Sequence, residues 1–383
     1  MRERIQTPWS RPEASSTWPG LTSDRACTDG RVNPGHDGAG KLSRRTLLGG
    51  ATLLAAPAIL SRRARAAEQC VVGTWGGDYA RLLRENIDDP ILKPQGINVI
   101  QDVGDEVPRV AKLYAQKKLP HGTEDIACLG ALNGYRVSEA DLVEQLDETK
   151  VPNLKHVHPN LRLAAFVPHI YSAQVLVYNA DTVKEPPQSL GELLDPKWKD
   201  KVGVLSQGGN QWLIMAASVL ESGTTTDFEK AKAFLLKLNA NGLRLYPETD
   251  AFAPAFKSGE ISVAVIWLAR SVMWQNAGVP VKGAFPKEGA LLYVSGMVMP
   301  KNAPDKDAAY KYMNALLEPS AQQGFAAHMG YLPTVDNAPL SGKVAEQLAL
   351  PNPAPKLITP DYKVLSPAIP ELNDWWLKNM QRA

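Results

Sequence analysis

The residues with the clearest chemical content sit where short apolar runs stop. Trp75 follows the run Val71-Val72-Gly73-Thr74 and precedes Gly76-Gly77, whose freedom of φ allows a sharp turn, and Asp78, which can cap a following helix. A large aromatic on such a turn is either a platform for a small molecule or a plug that packs the turn. Trp267 closes a second run, residues 261–267, with Arg270 just beyond it. A second glycine turn, Ser206-Gln207-Gly208-Gly209-Asn210, opens another helix. The chain has no nucleophile elbow, phosphate loop or metal-ligand motif, and neither glycine pair has the G-x-G-x-x-G spacing. His156 and His158 are spaced like metal ligands, but no carboxylate or cysteine motif stands with them, so they read as part of an exposed loop. The expectation is a binding protein, not an enzyme, with no cofactor and no catalytic residue.

The elements around these residues alternate. The helix after Trp75 turns Tyr79, Leu82, Leu83 and Ile87 inward. A strand at 97–103 follows, then a helix at 106–117 with its face at Val107, Val110, Ala111 and Tyr114, then a strand at 125–129. Strand–helix alternation argues a parallel sheet covered on both faces. After an irregular stretch at 142–165, an apolar run at 172–178 leads to a Pro186-Pro187 linker and a capping box, Ser189-Leu190-Gly191-Glu192. Strands are then expected at 202–205, 261–267 and 291–299, and helices at 211–220, 228–238, 251–257 and 305–317. The Pro-rich stretch 351–370 reads as irregular, with a final helix at 371–380 bearing Trp375 and Trp376. Two strand–glycine turn–helix openings about 130 residues apart suggest two similar lobes.

A chain of 383 residues is long enough for two domains with sizeable cores. Its net charge of +2 is uneven, since eleven Lys and Arg against five Asp and Glu fall in residues 1–66, leaving residues 67–383 at −4. A mildly acidic body without a basic patch excludes nucleic acid as the expected partner. Ser43-Arg44-Arg45-Thr46-Leu47-Leu48 resembles the twin-arginine export signal, followed by an apolar stretch at 47–60 and the A-x-A pattern Ala64-Arg65-Ala66. Fourteen apolar-stretch residues are too few to anchor in a bilayer, so no stable membrane insertion is expected after cleavage. Residues 1–42 show no apolar period and are expected to be disordered, the product of a start assigned upstream of the true one, with Val32 as the alternative. Cys70 and Cys128 fall on buried strands of an exported chain; they read as free thiols, with pairing the other reading.

Several stretches, in order, resemble the periplasmic solute-binding proteins of ABC importers, in the polyamine-type branch. They are TWGGDYARLL at 74–83, VPHIYSAQVLVYNADTV at 167–183, PPQSLGELLDPKWKDKVGV at 186–204, SGEISVAVIW at 258–267, the long stretch 285–319, and GYLPT at 330–334. The resemblance implies an α/β, two-lobed type 2 periplasmic binding fold, each lobe a mostly parallel sheet flanked by helices, joined by crossovers at 169–177 and 292–297. The first lobe would comprise 67–172 plus 294–340, and the second 173–293 plus 341–383. It also implies a monomer in the periplasm that captures a small solute between its lobes and delivers it to an inner-membrane permease.

Carried over position by position, the resemblance puts Trp75 and its neighbour Gly76 in the pocket and makes Trp267 and Tyr293 a sandwich for an aliphatic chain. Tyr171 would contribute from the first crossover. Where polyamine binders place carboxylates, this chain has Ser295, Gln207 and Asn210, with Asp250 as a remaining acid. Arg270 stands beside Trp267, either in a surface salt bridge or facing the cleft, where its fork suits a carboxylate or phosphonate. A pocket without paired acids should hold a dication poorly, since an unpaired buried ammonium costs several kcal/mol. A solute bearing an anion is therefore expected ahead of spermidine or putrescine. Iron-binding relatives use adjacent tyrosines, and Tyr135 stands alone. An exported enzyme and a chemoreceptor adaptor are the competing readings.

Overall fold

The computed structural model describes residues 68–206 and 210–380. Its strands are β1 (Glu68–Thr74), β2 (Ile97–Val103), β3 (Ile126–Gly130), β4 (Val167–Asn179), β5 (Val202–Leu205), β6 (Arg244–Tyr246), β7 (Val263–Trp267), β8 (Val281–Ala284), β9 (Ala290–Val298), β10 (Leu332–Pro333) and β11 (Leu357–Ile358). Its α-helices are α1 (Gly77–Leu83), α2 (Glu106–Gln116), α3 (Ala131–Glu139), α4 (Asn210–Ser222), α5 (Phe228–Ala240), α6 (Phe252–Ser258), α7 (Leu268–Asn276), α8 (Lys306–Leu316), α9 (Pro319–Met329), α10 (Gly342–Leu348) and α11 (Tyr362–Asn379).

The strands form one mixed sheet in the order β2-β1-β3-β9-β4-β7-β5-β6. Parallel pairing joins β1 to β2 and β3 on one side, and β5 to β6 and β7 on the other. Between these two blocks runs the antiparallel pair β4 and β9. The first half of β4 pairs with β9 as far as Ala173, and from Gln174 onward its partner is β7. The architecture is thus two α/β lobes whose sheets are joined through shared crossover strands. Strands buried on both faces read as continuous apolar runs, as in the fully buried β7.

Local chemistry departs from expectation in four places. Asp78 does not cap α1; Gly76 occupies that position, and the Asp78 carboxylate instead accepts from Arg81 at 2.9 Å. The Ser189 box is replaced by a 3-10 turn, in which Ser189 accepts from the Gly191 amide and Glu192 accepts from the Gln188 amide. In α2 the inward face is not Val107 and Tyr114, which are 77% and 45% exposed, but Leu113 and the charged Arg109, 4% exposed. The final helix begins nine residues earlier than expected and runs through Pro367 and Pro370. Both proline rings are exposed, so the missing amide bonds fall on the solvent side, while Tyr362, Leu365, Leu372 and Trp376 are buried at helical spacing.

Cys70 and Cys128 are both buried free thiols.

Candidate functional site

The site is a cavity of about 500 Å³ at the carboxyl ends of β1, β6 and β7, where open α/β sheets bind ligands. A larger groove of about 1010 Å³ lies between β8, α7 and residues 346–356.

One wall is built by the turn after β1. Gly77 has φ +62, the left-handed region that glycine enters freely, and a side chain at Gly76 would press on Val103. The turn leaves Trp75 lining the cavity. Its ring is fixed from behind by Tyr79, edge-on at 5.0 Å, and by the guanidinium of Arg109, 5.6 Å from the ring centroid. Arg109 in turn donates to the carbonyls of Thr74 at 2.6 Å, Gly104 at 2.7 Å and Cys128 at 2.7 Å. It therefore ties together the end of β1, the middle of β3 and the turn after β2. Tyr79 shares a 2.8 Å hydrogen bond with Nδ1 of the fully buried His169, whose pKa burial pushes down to about 3.

The facing wall comes from Thr249 and Asp250 ahead of α6 and from Arg270 and Met273 in α7. Arg270 touches the Met273 sulfur at 3.6 Å, and its buried Nε has no hydrogen-bond partner. Among the described residues no carboxylate lies within 4.0 Å of it.

The floor includes Tyr293, Ser295 and Tyr331. The Ser295 hydroxyl donates to the Tyr293 oxygen at 2.7 Å. Burial raises the phenol pKa of both Tyr293 and Tyr331, and the positive charge of Arg270 pulls against it in each. Both phenols therefore stay protonated within the field of the same guanidinium.

Six of the expected residues, Trp75, Gly76, Asp250, Arg270, Tyr293 and Ser295, thus line one cavity. Others do not reach it. Trp267 stacks directly on Tyr293, with centroids 4.9 Å apart at 23°, and meets Trp212 edge-on at 5.0 Å. Holding an aliphatic chain between the two rings would take about 7–8 Å, two van der Waals contacts. The expected sandwich is closed by the rings themselves. Tyr171 turns away and meets His158 at 6.3 Å, while its neighbour Ile170 lines the cavity. Asn210 is buried and donates to Asn373 of α11 at 2.9 Å. Gln207 lies outside the described residues. Tyr79, Arg109 and Tyr331 were missed as site residues; GYLPT signalled Tyr331, and nothing in the sequence signalled Arg109.

With the cavity defined, comparison with known proteins fixes the family. Residues 96–352 match the family described as bacterial extracellular solute-binding protein. The chain belongs to that family. Among curated proteins it is 26% identical over 269 residues to the spermidine/putrescine-binding periplasmic protein of Escherichia coli K12, covering 66% of this chain and 74% of that one. Among solved structures, an extracellular solute-binding protein from Bordetella parapertussis is 20% identical with a TM-score of 0.73, covering 82% of this chain and all of that one. A structure described as the Atu4243-GABA receptor is likewise 20% identical, with a TM-score of 0.72, covering 82% of this chain and 98% of that one. The protein is the periplasmic solute-binding component of an ABC importer, a class that delivers small solutes to a permease. Its relatives and fold neighbours name different solutes, so the family does not specify this one. No helix among the described residues is long and apolar enough to cross a membrane.

Proposed function

We propose that the solute of this family member bears a carboxylate or phosphonate and that Arg270 receives it. The observation that carries the reading is a guanidinium lining the cavity with a buried, unpartnered Nε. A guanidinium with an unpartnered Nε, and with only the Met273 sulfur against Nη1, has donors to give to a carboxylate or phosphonate oxygen. Trp75, Gly76, Tyr293 and Ser295 would surround the solute's uncharged part, with Asp250 at the mouth, and Trp267 would act by backing Tyr293. A polyamine meets Arg270 as a like charge, which disfavours it although curated relatives bind polyamines by name.

In the same reading the protein acts as a monomer and changes no bond in its cargo. The lobes divide as 67–172 with 294–340 and 173–293 with 341–383. Export uses the twin-arginine segment at 43–66; replacing Arg44 and Arg45 by lysine should leave an unprocessed precursor in the cytoplasm, and normal export of that variant would refute it. The solute assignment is tested by tryptophan fluorescence of the purified protein, titrated with amino acids, opine-like carboxylates, aminophosphonates, putrescine and spermidine. Binding of a carboxylate or phosphonate that weakens by about 100-fold in Arg270→Ala supports the proposal, the scale expected for losing a charged hydrogen-bonded partner. Tight binding of a polyamine, unchanged in that variant, overturns it.

A further inference from the structure

We infer that the solute is a zwitterion, carrying an ammonium group for Asp250 as well as the anion for Arg270; this rests on the Arg270 reading above. Among the described residues, three charged side chains line the cavity: Asp78, Asp250 and Arg270. Asp78 is already paired with Arg81 at 2.9 Å, a guanidinium it shares with Glu85 at 2.7 Å. Asp250 has only the Thr249 hydroxyl, at 3.4 Å, and among the described residues neither it nor Arg270 makes a salt bridge, with each other or elsewhere. One wall of one cavity therefore presents two uncompensated charges of opposite sign, more than 4 Å apart.

Arg270 already has a buried Nε, and a solute seated against it covers the exposed Asp250 at the mouth, so binding takes water from both. A monocarboxylate answers Arg270 but brings a negative charge towards Asp250. A diamine answers Asp250 but meets Arg270. Only a solute with both signs leaves neither charge bare, and an unpaired charge taken out of water is the costliest outcome. Trp75 does not replace Asp250 as the ammonium site, because the guanidinium of Arg109 already engages its ring. Nor does the aromatic stack offer a second place for an alkylammonium chain, since Trp267 and Tyr293 are in direct contact.

The test uses three compounds of one chain length: 5-aminopentanoate, pentanoate and 1,5-diaminopentane, measured calorimetrically on wild type, Asp250→Asn and Arg270→Ala. Wild type should bind 5-aminopentanoate about 30-fold more tightly than pentanoate, as one charged hydrogen bond implies. In Asp250→Asn that ratio should fall to within about threefold. Pentanoate should bind Asp250→Asn at least as well as wild type, an effect that loss of folding would not produce. Arg270→Ala should lose both acids. Equal binding of the two acids by wild type, both lost in Arg270→Ala, overturns the zwitterion and leaves the anion site standing. Preferred binding of 1,5-diaminopentane overturns both. Absence of binding by any of the three at millimolar concentration also overturns the zwitterion, because two matched charges should hold even a fragment.

Discussion

Replacing Arg109 by methionine removes the least expected support of the site. The guanidinium is 4% exposed and donates to three carbonyls, those of Thr74, Gly104 and Cys128. Each hydrogen bond from a charged donor contributes roughly 1.5–3 kcal/mol, so the three amount to about 4.5–9 kcal/mol gross. Methionine no longer buries a charge, which returns several kcal/mol, but it takes a donor from the Gly104 and Cys128 carbonyls, while that of Thr74 keeps the Gly104 amide at 2.9 Å. The net loss should be about 4 kcal/mol, a large fraction of the 5–15 kcal/mol that holds a typical protein folded. Urea unfolding followed by tryptophan emission measures it as a lower midpoint with an unchanged slope. Arg109→Lys should fall between, because one ammonium cannot span three divergent acceptors. Solute affinity should also drop in Arg109→Met, since Trp75 loses the group behind its ring. A shift below about 1 kcal/mol would show that these carbonyls find other partners, and would refute the role given to Arg109.

Three further outcomes follow from buried groups. Burial pushes Asp88 up to about 6 from 3.8, partly offset by Gln101, while His169 is pushed down to about 3 from 6.5. On acidification from pH 6 to about 4 the folded state gains a proton at Asp88 before the unfolded state does, and refuses one at His169 that the unfolded state accepts. The two slopes, each about 1.4 kcal/mol per pH unit, are opposite and nearly cancel. Asp88→Asn should therefore be more stable at pH 7 by up to about 3 kcal/mol and lose that gain by pH 4; a pH profile parallel to wild type counts against it. A Cβ on Gly296 would overlap the Val167 carbonyl and the Phe166 ring, so Gly296→Ala should cost more than about 3 kcal/mol, whereas Gly104→Ala, with open space around it, should be nearly neutral in thermal unfolding. Burial raises both the Cys70 and the Cys128 thiol, the latter to about 12, so residues 67–383, which exclude Cys27, should not react with a thiol reagent at pH 8 when folded and should titrate both cysteines once unfolded; no titration after unfolding would mean a disulfide.

What was legible in the sequence was whatever follows from periodicity and punctuation. The runs before Trp75 and Trp267 became β1 and β7, and the glycines after Trp75 made the expected turn. The phase of α2 was misread because apolar periodicity assigns the inward face to valines and tyrosines. A buried arginine that satisfies three carbonyls reverses that assignment and leaves no apolar signature. Tyr171 was placed in the pocket by the resemblance alone, from its position in the first crossover, and its neighbour Ile170 lines the cavity instead. The Trp267–Tyr293 contact joins residues 26 positions apart, a distance in space that no local pattern encodes. Arg270 and Asp250 were legible as charges but not as neighbours.

The change of partner along β4 bears on how the lobes can move. A door turns freely on loops that store nothing. Here the link is a hydrogen-bonded ribbon, β4 and β9, anchored in each lobe's own sheet. Rotation of one lobe against the other must twist that ribbon about the Ala173–Gln174 step, and a twisted ribbon pushes back. On the proposed division of the lobes, the ribbon would act as a torsion spring, and a solute would be held only if its contacts outweigh the restoring torque of two strands far from the cargo.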